Sequence, residues 1–308
     1  MKLYVYNDNR SPHPWAHGLQ NAALARGILP CIVRQGAELL GPTEGYFFGR
    51  CEQSAEHLSD ARNLCLRMAA TPGIKSVISA REYRHYERKD LQAMLFGHFM
   101  PETWVCTKPE QLSLALNNLG FPLISKSNQG SSSSNVRLLQ TREEALLEAS
   151  LAFSAQGLTT PRGQQQGYVI WQRYLDGNAY AYRVVRVGRY YWVLRIFNRD
   201  DKPMASGSGK FAAVISGGMS SEEFGVLRWA HSFCEHYDMR WVGLDIVRDA
   251  LTGQWQLLET TLAWNLRAKG ANEARAVIDE HGNPHPKGYH GRDQWDLLLD
   301  EIEQGAFD

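Results

Sequence analysis

Apolar and polar positions alternate between two periods over the first hundred residues. "MKLYVYND" reads as an opening strand, "SPHPWAHGLQNAALARG" as a helix bracketed by Ser11 and Gly27, and "PCIVRQ" as a second strand. "SAEHLSDARNLCLRMAAT" has helical spacing, "GIKSVIS" is a further short strand, and "AREYRHYERKDLQAMLFGHF" is again helical. Such alternation predicts a parallel sheet with helices packed on it.

The next block starts with clear end signals. "TKPEQLSLALNNLG" places Thr107 and Glu110 in capping-box spacing and closes on Gly120, a helix C-terminal glycine. "FPLISK" reads as a strand that leads into a glycine and serine loop. "NVRLLQ" resumes as a strand, and "TREEALLEASLAF" repeats the capping pattern with Thr141 and Glu144. "GLTTPRGQQQG" has no periodicity and reads as a loop or connection between lobes. Beyond it "YVIWQRYL", "AYAYRVVRV", "RYYWVLRIFN", "WVGLDIVRD" and "WQLLETT" are strands, the second and third joined by a turn at Gly188. The helix "SSEEFGVLRWAHSFCEHY" lies among them and "DQWDLLLDEIEQG" closes the chain. The expected class is α+β with an α/β amino-terminal lobe.

Length and composition narrow the function. The 308 residues suffice for two or three lobes around a cleft, and 33 basic against 33 acidic residues leave no global field to draw the chain to nucleic acid. An anion site must therefore be local. Five cysteines, Cys31, Cys51, Cys65, Cys106 and Cys234, form no C-x-x-C, which points away from a disulfide framework and toward a reducing cytoplasm. The amino terminus lacks a signal-peptide pattern and no segment is apolar enough to span a bilayer, so a soluble protein is expected.

Familiar nucleotide motifs fail. "ASGSGKF" lacks the first glycine and the Ser/Thr of a phosphate loop, and no G-x-G-x-x-G follows the first strand. His13 and His17 lack the glutamate of a zinc helix, and a solvated or capping role suits them. A dispersed constellation fits better. Lys126 ends an apolar strand, where a buried cation needs an anion beside it, and the loop of Gly130, Ser131, Ser132 and Ser133 offers backbone N–H groups to a phosphate. A snorkelling lysine before an ordinary linker fits the same letters. Asp245 and Glu259 lie on strands joined by one turn; if both face one side, a divalent cation relieves their repulsion, and magnesium suits oxygen ligands. Arg183, Arg195 and Lys210 add positive charge on the same half of the chain.

The order of these features resembles the ATP-grasp superfamily, specifically its glutathione synthetase-like and RimK-like carboxylate–amine ligases, over nearly the whole chain. "RKDLQAMLFGHFMPETWVCT" is similar to that family's opening motif, with Lys89 as its first nucleotide lysine and Pro101 and Thr103 as its proline–threonine pair. The resemblance implies that Lys126 contacts the α- and β-phosphates and that the serine loop covers them. It implies that Gln172, Tyr174 and Leu175 read the adenine, that Asp176 approaches the ribose, that Arg183 faces the transferred phosphate, and that Asp245 and Glu259 bind magnesium. The family's second metal strand commonly reads Glu-x-Asn. Here Thr261 stands at the asparagine place and the nearest asparagine is Asn265. The family's frequent Asp-Arg pair is Tyr182-Arg183 here.

By the same resemblance, residues 1–86 form a domain preceding the ATP-grasp lobes, 87–170 the amino-terminal lobe and 171–308 the carboxy-terminal lobe. His13, His17 and Arg50 of the first domain are the expected substrate-side residues. The implied activity is amide or peptide bond formation between small-molecule or peptide carboxylates and amines, with ATP and Mg2+ and an acylphosphate intermediate. Arg183, Arg195 and Lys210 are the expected catalytic cations. Kinase-like phosphoryl transfer and an inactive nucleotide-binding scaffold are the alternatives. Nucleic-acid and membrane partners are not expected, and the sequence leaves the oligomeric state undetermined.

Overall fold

The computed structural model describes residues 1–7, 14–34, 44–50, 55–129, 136–160, 163–198, 210–214, 219–264, 275–279, 283–286 and 294–307. The first lobe holds β1 (Leu3–Tyr6), α1 (Pro14–Ala25), β2 (Cys31–Val33), β3 (Gly45–Phe48), α2 (Ala55–Ala69) and β4 (Ile74–Ser76). Its strands pair in parallel, as the alternating pattern implied, in the order β2-β1-β3-β4; the inner strand β3 is not among those read from the sequence. All four residues of β1 are buried, as in a strand covered on both faces.

The expected single helix after β4 is two helices, α3 (Ala80–His85) and α4 (Lys89–Phe96). The break has a backbone cause. Tyr86 is extended and Glu87 takes the left-handed region at φ 54°, so the hydrogen-bond ladder cannot continue. Apolar spacing runs through the break and conceals it. The consequence is that Lys89 opens a new helix.

The second sheet contains β5 (Thr103–Cys106), β6 (Leu123–Lys126), β7 (Val136–Leu139) and β10 (Val169–Arg173), antiparallel in the order β5-β10-β6-β7. Helices α5 (Leu112–Leu119) and α6 (Arg142–Ala152) pack on it around Leu116, Leu123, Leu139, Ala149 and Trp171. The α6 cap is the expected one, with Thr141 Oγ1 accepting from the Glu144 N–H at 3.3 Å. Before α5 the acceptor is Gln111 rather than Glu110. Its Oε1 takes the N–H groups of Thr107 and Lys108 at 2.8 and 3.0 Å. The stretch expected as a loop contains a hairpin of β8 (Leu158–Thr160) and β9 (Gly163–Gln165). Polar side chains hold it, the Gln164 amide donating to Thr159 Oγ1 at 3.1 Å, so it has no apolar alternation to read. The expected boundary at 170/171 falls within β10, which belongs wholly to this sheet.

The third sheet comprises β11 (Tyr180–Val187), β12 (Tyr190–Phe197), β13 (Phe211–Ala213), β14 (Trp241–Arg248), β15 (Trp255–Thr261), β16 (Arg275–Ile278) and β17 (Pro284–Pro286). The order is β15-β14-β11-β12-β16-β17, with β13 also beside β12. The turn between β11 and β12 is Gly188–Arg189, two residues rather than one. Gly188 has φ 57°, and a Cβ there would collide with Glu301.

One face of this sheet buries Tyr182, Val184, Leu244, Ile246 and Leu257 beneath α7 (Ser221–Tyr237). The opposite face changes character along its length. Val185, Val187, Trp192 and Trp241 pack into the first lobe together with Trp295 of α8 (Gln294–Glu303). Trp241 meets Phe48 edge-on at 4.8 Å and stacks on Trp295 at 5.6 Å. Truncating such a residue typically costs about 3–5 kcal/mol. At the other end Ala181, Ile196 and Val247 form a separate apolar cluster with Leu175 and Leu258. Between these regions lie Arg183 and Asp245. Charge thus appears where the sheet emerges from under the first lobe.

Candidate active site

The site begins with an irregularity in β15. Asp245 pairs with Glu259 and Ile246 with Leu257, so Leu258 is an extra residue. A bulge of this kind takes one residue out of the ladder and re-aims the strand. Leu257 stays in the core beneath α7, while Leu258 and Glu259 both line a pocket between the second and third sheets. The Leu258 carbonyl accepts from Lys126 Nζ at 2.9 Å.

Lys126 is the last residue of β6 and is 7% exposed. Burial lowers its pKa to about 8; Lys89 pushes the same way, and Glu259 and Asp245 oppose the shift. Lys89, 4% exposed, differs. Burial works against its charge as well, but Glu259 and Glu87 outweigh that effect and its pKa lies above the ordinary lysine value. Its Nζ stands 3.1 Å from Glu259 Oε1 and donates to the Asn128 carbonyl at 3.3 Å. Asn128 Oδ1 in turn accepts from the Asp90 N–H at 2.9 Å. The segment following Lys126 is thereby tied to the first turn of α4.

Arg183 and Asp245 occupy directly opposed positions on β11 and β14. The guanidinium grips the carboxylate through Nε and Nη2, both at 2.7 Å. Burial opposes the arginine charge and Asp245 outweighs it, so the Arg183 pKa is raised. Arg183, Asp245 and Glu259 are thus neighbours in register across three strands, with Lys89 against Glu259 from α4. The row reads plus, minus, minus, plus. Relief of the carboxylate repulsion therefore does not require a metal alone, because each acid has a cation of the chain beside it.

Beside this row the pocket is lined by Ile124, Leu175, Ala181, Ile196, Val247 and Leu258, with Gln172, Tyr174 and Asn178 among its polar groups. An apolar slot opening onto fixed charges suits a ligand with a flat apolar end and an anionic end. Gln172 is buried, and its amide donates to Thr103 Oγ1 at 2.8 Å, which ties β10 to β5. Asp176 is exposed in the turn after β10 and accepts from the Gly177 N–H at 2.8 Å.

Several expected site residues stand elsewhere. Arg195 lies across from Tyr182 on the α7 face of the sheet, ion-paired to Glu223 and over the Tyr180 ring at 5.2 Å, so the sheet separates it from Arg183 and Asp245. Lys210 is exposed beside the end of β12, where its carbonyl accepts from the Phe197 N–H at 3.0 Å. Thr261 Oγ1 bonds locally, accepting from the Ala263 N–H at 3.1 Å and donating to the Ala263 carbonyl at 3.0 Å. His17 is exposed on α1 and Arg50 is buried at the end of β3; neither lines this pocket. His13, Gly130, Ser131, Ser132, Ser133 and Asn265 lie outside the described residues.

Sequence reasoning missed Asn128, which follows Lys126 by two positions, and Gln92, which follows Lys89 by one helical turn. Spacing from the two lysines was the available signal. Among the described residues no group of three or more His, Cys, Asp and Glu side chains gathers as a metal cage. Asp245 and Glu259 are two oxygen donors side by side, a set that fits magnesium when phosphate oxygens complete its shell. No described helix is long and apolar enough to cross a membrane.

The fold has counterparts among solved structures. The RimK domain ATP-grasp protein from Sphaerobacter thermophilus DSM 20745 superimposes with a TM-score of 0.60 at 16% identity, covering 98% of this chain and all of that one. D-cycloserine synthetase DcsG gives 0.63 at 15%, covering 98% and 99% of the two chains. The ATP-grasp ligase PsnB, solved with a minimal precursor, Mg and ADP, gives 0.61 at 14%, covering 99% and 98%. No protein-family pattern matches the chain, and no curated protein sequence matches it. The chain has the ATP-grasp fold, an α+β architecture preceded by a parallel α/β lobe.

Proposed function

We propose that the chain is an ATP- and magnesium-dependent ligase that joins a carboxylate to an amine and releases ADP and phosphate. The observation that carries this is the charged row of Arg183, Asp245, Glu259 and Lys89, with Lys126 beside it, at the mouth of an apolar slot. The enzymes DcsG and PsnB share the fold, which supports the choice of reaction class.

In this assignment Leu175, Ala181, Ile196 and Leu258 bury the base, and Gln172 and Tyr174 border it. Lys126 exchanges the Leu258 carbonyl for phosphate oxygens, and Lys89 grips the phosphates from the α4 side. Asp176 lies on the ribose side. Gly130, Ser131, Ser132 and Ser133 belong to the covering loop. Asp245 and Glu259 would hold magnesium, which would neutralise phosphate charge, with Asn265, or Thr261 on leaving its bonds to Ala263, as a further oxygen donor. Arg183, its Nε and Nη2 held by Asp245, would offer its remaining N–H groups to the group being transferred. Arg195, neutralised by Glu223 on the opposite face, takes no part in this assignment, Lys210 supplies positive charge at longer range, and His13, His17 and Arg50 belong to the acceptor side.

The substrate carboxylate attacks the γ-phosphorus while the bond to ADP breaks, giving an acylphosphate. The amine nitrogen then attacks the acyl carbon, phosphate departs with the bonding pair, and the nitrogen loses a proton to form the amide. Exclusion of water by the lobes protects the acylphosphate. The acid is a small molecule or a peptide, the amine likewise, and the cytoplasm supplies both ATP and magnesium.

The test is ADP release across a panel of acids and amines, with products followed by mass spectrometry. Turnover that requires both partners and yields an amide is the expected result. A phosphorylated product without amine dependence would assign a kinase-like reaction instead. Magnesium-dependent ATP binding with no turnover across the panel would assign a scaffold.

A further inference from the structure

Gln92 lies three residues after Lys89 on α4 and is 1% exposed. Its amide nitrogen donates to the carbonyls of His85 and Thr260, both at 3.1 Å, and its Oε1 accepts from the Thr260 N–H at 3.0 Å. Thr260 belongs to β15, which pairs with β14 on one side and lies at the edge of the described sheet on the other. A single amide thus satisfies both backbone groups that a further strand would have paired. Thr260 Oγ1 also lies 3.3 Å from His85 Nδ1, fastening the same point of β15 to the end of α3.

The position of this lock matters more than its strength. Thr260 follows Glu259 in sequence, and Gln92 follows Lys89 by one turn, so the lock is anchored next to both members of the 3.1 Å ion pair. It is also next to the bulge, where the ladder between β14 and β15 is interrupted. The bulge bends the strand there, so a tie on its outer edge bears directly on where Glu259 stands. Magnesium demands near-ideal placement of its oxygen ligands, whereas an apolar slot and a lysine on phosphate tolerate small shifts.

We propose that Gln92 is a positioning residue of the nucleotide site: by standing in for a neighbouring strand at the edge of β15, it sets where Glu259 stands relative to Lys89 and thereby sets how strongly magnesium strengthens nucleotide binding. This rests on the nucleotide assignment made above. Gln92 acts through the Thr260 backbone and touches neither the nucleotide nor the metal.

The experiment is calorimetric binding of AMPPNP to the full chain with and without magnesium, for wild type, Gln92→Met and Gln92→Glu, with melting temperatures alongside. Gln92→Met keeps length and volume but loses all three hydrogen bonds. Gln92→Glu keeps an acceptor for Thr260 and loses the donor, and it decides the matter if the methionine variant does not fold. The expected result is that magnesium-free affinity stays within about threefold of wild type while the magnesium enhancement falls about tenfold or more, the scale on which groups that orient a metal ligand act. An unchanged enhancement overturns the inference. So does an equal loss of affinity with and without magnesium accompanied by a lower melting temperature, which marks a general structural role. If wild type binds no AMPPNP, the nucleotide assignment fails and this inference with it. If wild type shows the enhancement and both variants keep it, the inference alone fails.

Discussion

Asp245 and Glu259 stand directly opposite one another on β14 and β15, and each is held from its outer side by a different cation, Arg183 for one and Lys89 for the other. The arrangement keeps two acids adjacent in a largely buried place. It also makes each cation depend on its acid.

Asp245→Leu should therefore destabilise the fold by about 3–5 kcal/mol, because it strands the Arg183 charge against desolvation. The double variant Arg183→Leu/Asp245→Leu should recover most of that loss while remaining inactive. Urea denaturation of the two variants measures this, and a double variant as unstable as the single one would contradict it.

Lys126 gives a pH signature. Its pKa in the free fold is lowered to about 8 from 10.5, so between these values the unfolded chain binds more protons and the stability of the free protein rises with pH. Phosphate oxygens favour the charged form, so nucleotide binding near pH 8.5 should take up protons, and affinity should fall as pH rises past the free-state pKa of about 8. Calorimetric titrations in two buffers of different ionisation enthalpy read the uptake directly. Heats independent of the buffer, or equal buffer dependence in Lys126→Met, would remove Lys126 from the phosphate site.

His85 and Glu82 oppose each other. Burial lowers the His85 pKa to about 4, so its contribution is present above the ordinary histidine value of 6.5 and is lost as pH falls toward 4. Burial raises Glu82 to about 8, so its contribution is present below 4.5 and is lost as pH rises toward 8. Between pH 4.5 and 6.5 the two slopes cancel. Glu82→Gln should expose the histidine slope and lose about 2–3 kcal/mol over that interval, at 1.36 kcal/mol per unit. Denaturation curves at the two ends check this, and a variant as flat as wild type would refute it.

The apolar slot can be filled from its floor. Ala181 is 5% exposed and packs with Ile196 and Val247, so Ala181→Phe should occupy the volume expected to take the base. Nucleotide affinity should drop about tenfold or more, equivalent to 1.4 kcal/mol or more, without a matching fall in melting temperature. Unaltered affinity in a folded variant would place the base elsewhere.

Much of the architecture was legible because it is written in periodicity. The parallel first sheet and the strand leading to Lys126 follow from alternation, and one short turn brings Asp245 and Glu259 onto neighbouring strands; their direct pairing depends on the extra residue Leu258, which alternation does not encode. The break at Glu87 was not legible, since a left-handed residue leaves no mark on apolar spacing. Nor was the polar hairpin of β8 and β9. Arg195 was misplaced for a subtler reason: it is opposite Tyr182, not Arg183, and a shift of one residue reverses the face of a strand. The partner of Arg183 depends on register across β11 and β14, which no local pattern encodes.

The single extra residue in β15 gives one strand two separable duties. Leu258 faces the slot and Glu259 the charged row, where a regular strand would send consecutive residues to opposite faces. Under the proposed nucleotide assignment, substitution at 258 would thus retune which base is preferred while the acid at 259 keeps its place. Selectivity and chemistry in such a site are free to evolve at different rates, though they sit side by side in the chain.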